Sequence, residues 1–129
     1  MTRTEHVFRP GNKPSTPWGS ADFATDYTEG VTFYTTPSHG GFHVSRARTA
    51  EMPAHLRNAA GWYEEDCEWA KVATAFPTLF TEKDLEAAER TLKNWCPNVW
   101  ERHYGRKLLP GESYIRDNPL PRAWGGTAA

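Results

Sequence analysis

The segment 61–69 places four acidic residues between aromatic side chains, and Glu65 is its first candidate for acid–base chemistry. Glu65 lies three residues after Trp62 and four before Trp69, so in a helix it would share their buried face. A carboxylate packed against indole rings loses hydration and its pKa rises, which is one way in which enzymes make a general acid. The alternative is that acids in a first helical turn are stabilised by free backbone N–H groups. Glu65 is therefore a candidate catalytic residue, with a structural role left open.

A second candidate site is the short loop in which Ser38 and His39 precede Gly40 and Gly41. Two glycines allow the backbone to approach a ligand closely, and their N–H groups can hold an anion. His39 is a candidate base, and it activates Ser38 only if a specific turn and a third orienting group are present. A hairpin turn with an exposed histidine is the structural alternative. The chemical hypothesis is a small enzyme or anionic-ligand-binding domain that uses His39 and Glu65, with ligand contacts from Gly40 and Gly41.

Several side chains near these candidates are competent metal ligands, namely His39, His43, Cys67 and either Glu65 or Asp66. Their spacing does not support a metal site, because the chain contains neither a Cys-x-x-Cys nor a His-Glu-x-x-His motif. We therefore expect no metal and no cofactor.

The remaining acids of the segment are candidates for partner contacts. Glu64 and Glu68 point away from the predicted buried face of the helix, and Asp66 is a third candidate for contact with a partner. Such a ridge of exposed carboxylates can meet a basic surface on another protein.

A basic cluster is formed by Arg102, Arg106 and Lys107, which lie at and just after the end of a short helix predicted from Asn98 to Tyr104. Glu101 interrupts the cluster, and cations near a helix C-terminus are also favoured by the helix dipole. The cluster is a candidate partner surface, but direct nucleic-acid binding is not predicted.

The elements that must position these residues form an α+β fold. Alternating apolar and polar residues between Phe23 and Val44 predict a small three-stranded antiparallel meander. One face of such a sheet must be covered, and two to four helices are available downstream. Helical spacing from Trp62 to Phe76 predicts one of them, and a capping box from Thr81 to Asp84 begins another.

The chain of 129 residues is expected to contain a single domain. Prolines and glycines predict a flexible N-terminal arm over residues 1–19, followed by the α+β domain over residues 20–105. Residues 106–129 are predicted to be an extended tail that packs on the domain or on a partner. The apolar residues that support this packing are Tyr114, Ile115, Leu120 and Trp124.

Composition limits the classes of partner and compartment. A formal charge of −1 gives no global attraction to nucleic acid or anionic membranes. The chain has no N-terminal signal segment and no long apolar run, so we expect a cytoplasmic protein without a membrane partner. Cys67 and Cys96 are expected to be free thiols, although a disulfide between two predicted helices is geometrically possible.

Two blocks of sequence resemble a known family when they are taken together. They are TPSHGGFHVS at residues 36–45 and GWYEEDCEWA at residues 61–70. The resemblance is to an uncharacterised domain-of-unknown-function family of bacteriophages, prophages and conjugative plasmids, and it covers about residues 30–104. It implies a mobile-element context and brings no catalytic residues.

The resemblance implies a non-catalytic inhibitor that binds host defence machinery, such as a CRISPR or restriction complex, in the bacterial cytoplasm. The expected partner is a host protein or nucleoprotein complex. Six tryptophans and five tyrosines are consistent with an interface, because these residue types anchor protein–protein contacts. A structural module within a larger mobile-element protein is a further alternative.

Overall fold

The computed structural model describes residues 2–119, in which an antiparallel sheet is covered on one face by helices. The strands are β1 Thr4–Val7, β2 Ser15–Thr16, β3 Gly19–Ser20, β4 Phe23–Thr28, β5 Val31–Thr35, β6 Gly40–Val44 and β7 Trp62–Glu64. The helices are α1 Arg46–Thr49, α2 Trp69–Ala75, α3 Glu82–Trp95, α4 Pro97–Tyr104 and α5 Tyr114–Asp117, with 3-10 helices at Ala54–Leu56 and Pro77–Leu79. The predicted α+β class is confirmed.

The main sheet has five strands in the order β1-β4-β5-β6-β7, with all neighbours antiparallel. The predicted meander forms its centre, as β4, β5 and β6. The prediction of three strands is incomplete, because β1 and β7 extend the sheet at both edges. β2 and β3 form a separate two-stranded hairpin.

The N-terminal arm contains regular structure, so the prediction of an irregular arm is wrong for its described part. Thr4 lies opposite Asp26 and Val7 opposite Phe23 in the β1–β4 ladder. The arm's three prolines lie outside its short strands, where they remove no ladder hydrogen bond.

The helix predicted from Trp62 to Phe76 is wrong in its first half, where the chain forms the edge strand β7. Tyr63 is fully buried, whereas Trp62 and Glu64 on either side are partly exposed, which is the period of two that a strand requires. Trp62 pairs with His43 of β6. This pairing between distant residues overrides the local helical spacing, and α2 begins only at Trp69.

Two apolar clusters fill the space between the sheet and the helices. The first joins the helix-side face of the sheet to α2, and its fully buried members include Val31, Tyr63 and Val72. The second joins α2, α3 and α4 around Leu92 and Trp100. The opposite face of the sheet, which we call the outer face, carries alternate residues such as His43 and Trp62.

The segment after α4 packs back on the helices. Arg116 of α5 donates hydrogen bonds to Glu101 of α4, and the exposed ring of Tyr114 lies 5.2 Å from that of Trp95. Leu120 and Trp124, which the sequence predicts to pack in the same way, lie outside the described residues. Among residues 2–119, no helix combines the length and apolar character that a membrane crossing requires.

Candidate functional site

The acidic residues at the end of β7 lie at the surface and do not form a buried stripe. Glu64 is 40 % exposed on the outer face of the sheet. Glu65 and Asp66 follow the strand and are both exposed, so the prediction that Glu65 faces inward on a helix is wrong. We call Glu64, Glu65 and Asp66 the acidic segment.

The structure brings His39 to Glu64, whereas Glu65 lies on the other side of the sheet. His39 Nδ1 lies 3.9 Å from Glu64 Oε1, and both side chains are about half exposed. The Glu65 N–H donates to the Gly40 carbonyl at 2.9 Å, while its side chain lines a cavity on the helix side together with Phe33. The combination of His39 with Glu65 therefore has little geometric support.

The turn that carries His39 is fixed by Thr36, which is buried. The Thr36 hydroxyl donates to the His39 carbonyl at 2.8 Å and accepts the His39 N–H at 3.1 Å. Ser38 is exposed on this turn, and no side-chain hydrogen bond from its hydroxyl is found within residues 2–119. No described group orients Ser38 as a nucleophile.

Gly40 and Gly41 belong to strand β6 rather than to an open anion-binding loop. Neither has a positive φ, and both are buried. A β-carbon at Gly41 would lie 2.5 Å from the Tyr63 carbonyl oxygen and would also overlap the Trp18 indole. Gly41 therefore allows Trp18 and β7 to pack closely, and Gly40 allows the close approach of β5. Ligand contacts from the two glycines stay a prediction.

An aromatic cluster covers part of the outer face next to the acidic segment. The Trp62 ring lies 4.5 Å from His43, 5.6 Å from Trp18 and 5.7 Å from Tyr34. Burial lowers the pKa of His43, so its imidazole is neutral at neutral pH. Sequence spacing identified neither Tyr34 nor Trp62 as members of this cluster, although the alternation within β5 already put Tyr34 opposite to Phe33.

A cavity of 460 Å³ opens beside this cluster. Its lining includes His43, Arg46 and Asn58. Asn58 is fixed in place, because its side-chain amide donates to the Trp62 carbonyl at 2.9 Å and to Glu68 at 3.1 Å.

Glu68 differs from the acidic segment because its charge is compensated within the chain. Its carboxylate lies 2.7 Å from the Lys71 ammonium group, which also donates to Asn58. Glu68 therefore holds the start of α2 against the Asn58 loop, and it is less available to a partner than the sequence suggests.

The basic cluster is also largely compensated. Arg106 makes a bidentate pair with Glu112, at 2.9 and 2.8 Å, and Lys107 lies 3.6 Å from Glu101. Arg102 is exposed and lines a cavity of 360 Å³ together with both of these basic residues. Glu101 and Glu112 lower the positive potential of this surface, and a nucleic-acid backbone binds to positive potential.

Metal-binding side chains do not converge within the described part of the chain. No group of three or more His, Cys, Asp and Glu side chains among residues 2–119 is arranged to hold a metal ion. His39 and His43 lie at different positions along β6 and its turn, with separate partners in Glu64 and Trp62.

Cys67 and Cys96 are free thiols in the structure, and both are partly buried. Burial raises the pKa of the Cys67 thiol and raises that of Cys96 to about 11. Because the thiolate is the reactive form, we expect both residues to react slowly with a disulfide reagent at neutral pH, and Cys96 to react more slowly than Cys67.

The single-cysteine variants Cys67→Ser and Cys96→Ser allow the rate of each thiol to be measured separately. The reaction with the disulfide reagent is followed by absorbance, with and without denaturant. Both thiols should react about tenfold or more faster once the chain is unfolded. Equal rates for the two thiols in the native protein would show that burial does not control their reactivity.

Comparison with known proteins identifies a family for this chain but does not identify an activity. No curated protein matches the chain, and no solved structure matches it. A family model described as "Domain of unknown function (DUF7007)" matches residues 11–123, which include the outer face, the acidic segment and the basic cluster. The chain therefore belongs to the DUF7007 family.

Proposed function

We propose that this protein is a non-catalytic inhibitor from a phage or conjugative plasmid, which binds host defence machinery such as a CRISPR or restriction complex in the bacterial cytoplasm. The observation that carries the proposal is the exposed acidic segment at the edge of the sheet. Among residues 2–119, the only basic side chain that forms a contact within 4.0 Å with its carboxylates is His39, at 3.9 Å from Glu64. Glu65 and Asp66 thus form no ion pair within residues 2–119, and Glu64 has only the half-exposed His39 beside it.

The charge of the acidic segment matches the surface of nucleic-acid-binding machinery. Such complexes hold phosphate backbones with lysine and arginine, so an exposed acidic surface can compete for the same positions. The net charge of the chain is only −1, and the attraction is therefore local to this edge.

The aromatic cluster provides the apolar part of the proposed interface. Trp62 shares the outer face with Glu64 and is partly exposed. Tryptophan beside charged groups is typical of the few residues that supply most of the binding energy at an interface. The basic cluster supports this role less, because Arg106 and Lys107 already lie beside acids.

A plating assay tests the proposed function. Cells that carry a CRISPR or restriction system are challenged with a phage that the system targets, with and without this protein. We expect the wild-type protein to raise the efficiency of plating, and the triple variant Glu64→Lys, Glu65→Lys, Asp66→Lys to abolish this increase. Reversal of three interface charges should weaken binding about 100-fold or more, since each like-charge contact opposes association.

A second triple variant controls for the change in net charge. Glu5, Glu29 and Glu86 are exposed acids on other surfaces, and their replacement by lysine should leave the increase in plating intact. Equal loss in both triple variants would contradict a role for the acidic segment. No increase with the wild-type protein against either defence system would contradict the proposed function itself.

A further inference from the structure

A cavity of 220 Å³ opens on the helix side of the sheet, next to the acidic segment. Most of its lining residues are aromatic, and the two acidic ones, Glu65 and Asp84, are called the acidic rim. The lining residues are Tyr27, Phe33, Phe42, Trp69 and Phe80, with the carboxylates of Glu65 and Asp84. We call this cavity the aromatic pocket.

The rings of the pocket are held at steep angles to one another. Phe42 is the central ring, with Tyr27 at 5.0 Å, Phe33 at 4.9 Å and Phe80 at 5.8 Å. Their interplanar angles are 82°, 76° and 67°. Because Phe42 is almost fully buried, this arrangement is fixed by the core and is available before any ligand arrives.

Two acidic residues, Glu65 and Asp84, line the cavity. Neither Glu65 nor Asp84 forms an ion pair within residues 2–119, and Glu65 is exposed. Asp84 Oδ2 accepts the Thr81 N–H at 3.3 Å as part of the capping box of α3. Its second oxygen retains acceptor capacity, because a carboxylate can accept several hydrogen bonds.

The chain itself stacks a guanidinium group on one of the lining residues, Tyr27. Arg3 stacks on the Tyr27 ring, with Cζ 3.6 Å from the ring centroid, and donates to the Leu79 carbonyl at 3.0 Å. A cation over an aromatic face is attracted by the negative potential of the ring. Arg3 does not line the cavity, so the pocket remains open beside it.

We propose that the aromatic pocket binds an arginine side chain of the partner protein. The planar guanidinium stacks on the aromatic rings and donates N–H groups to Glu65 and Asp84. A quaternary ammonium group would use the rings but has no N–H donors for the carboxylates, so the acidic rim favours arginine. This inference rests on the proposed function, in which the partner surface is basic.

Titration with a small arginine probe tests the pocket directly. N-acetyl-arginine methylamide is added to the protein while the indole N–H resonance of Trp69, assigned with a Trp69→Phe variant, is followed by NMR. We expect saturable shifts with a Kd on the order of 1 mM, as is reasonable for a single side chain. The citrulline analogue, which keeps the shape but lacks the charge, should bind at least about tenfold more weakly.

Equal binding of arginine and citrulline would overturn the proposal, as would the absence of any shift at Trp69. Tighter binding of the trimethyl-lysine analogue than of arginine would also overturn it, because the carboxylates would then have no part in selection. Weaker binding of that analogue supports the role of the acidic rim.

A pair of neighbouring substitutions separates the pocket from general charge. Glu65→Gln should weaken arginine binding about tenfold, since it removes a charge-assisted hydrogen bond. Asp66→Asn removes the same charge one residue away from the lining and should change the Kd by less than about twofold. Equal effects of the two variants would overturn the assignment of Glu65.

Removal of Arg3 provides an independent test. Arg3→Gln takes a positive charge away from Tyr27 and should tighten binding of the arginine probe, whereas Arg9→Gln on the same arm should have no effect. Weaker binding after Arg3→Gln would overturn the proposal.

The titration tests the aromatic pocket and the plating assay tests the proposed function, so failure of one proposal can be told from failure of the other. Arginine binding without any effect on plating leaves the pocket intact and removes the proposed function. An effect on plating without arginine binding, or an effect that persists in Glu65→Gln, removes the pocket and keeps the function.

Discussion

Replacement of Gly41 by alanine is expected to lower the melting temperature by about 10 °C or more. The added β-carbon would lie 2.5 Å from the Tyr63 carbonyl oxygen and would overlap the Trp18 indole. The carbonyl belongs to β7, so relief requires movement of a paired strand and not a change of rotamer. Overpacking of this kind costs about 3 kcal/mol, which is a large share of the stability of a small domain.

Other glycines provide a graded series for this measurement. A β-carbon at Gly40 would lie 2.9 Å from the Tyr34 carbonyl oxygen, so Gly40→Ala should have a smaller effect. Gly111 has a φ of 90° and open space around it, so alanine there should cost only about 1 kcal/mol of backbone strain. Thermal melts followed by circular dichroism give the order of the melting temperatures of the three variants. A Gly41→Ala protein that melts within about 2 °C of the wild type would show that β7 moves away from the added β-carbon at little cost.

Features that depend on neighbouring residues were predictable from the sequence. The capping box of α3 forms as expected, with the Thr81 hydroxyl accepting the Asp84 N–H and the Asp84 carboxylate accepting the Thr81 N–H. Gly105 ends α4 in the left-handed conformation that glycine favours. The central meander also follows from alternation within β4, β5 and β6.

Features that depend on distant partners were not predictable. Residues 62–64 satisfy both a helical and a strand pattern, and only pairing with β6 selects the strand. The pair Gly40-Gly41 indicates a flexible turn by itself, because the sequence does not show that Trp18 packs against Gly41. The aromatic pocket was missed for the same reason, since Tyr27, Trp69 and Asp84 come from three separate elements.

The buried carboxylate of Glu101 connects the helices to the segment that follows them. Arg116 donates to both of its oxygens, at 2.6 and 3.0 Å, and the Leu108 N–H donates at 2.7 Å. These hydrogen bonds, those from Arg116 above all, lower the pKa of Glu101 to about 2. Glu112 has a pKa of about 2 for the same reason, with Arg106 and the Leu109 N–H as its donors.

Acid is therefore expected to weaken the attachment of residues 105–118 to α4. The pKa of Glu101 in the folded state lies below its ordinary value of 4.5, so the unfolded chain takes up the proton first as the pH falls. The stabilisation from Glu101 is complete above about pH 4.5 and is lost as the pH falls towards 2. Glu101→Gln should thus destabilise the protein at pH 7, and the difference from the wild type should shrink steadily through this window.

Urea denaturation at several pH values between 7 and 2 measures this difference as a free energy of unfolding. Glu86→Gln is the matched control, because Glu86 is an exposed acid on α3, and its small effect should not vary with pH in this way. Arg116→Gln removes the main donor and should reproduce the loss at pH 7, since it leaves a buried carboxylate with fewer partners. A difference between Glu101→Gln and the wild type that stays constant from pH 7 to pH 2 would show that the Glu101–Arg116 contact does not stabilise the fold through its charge.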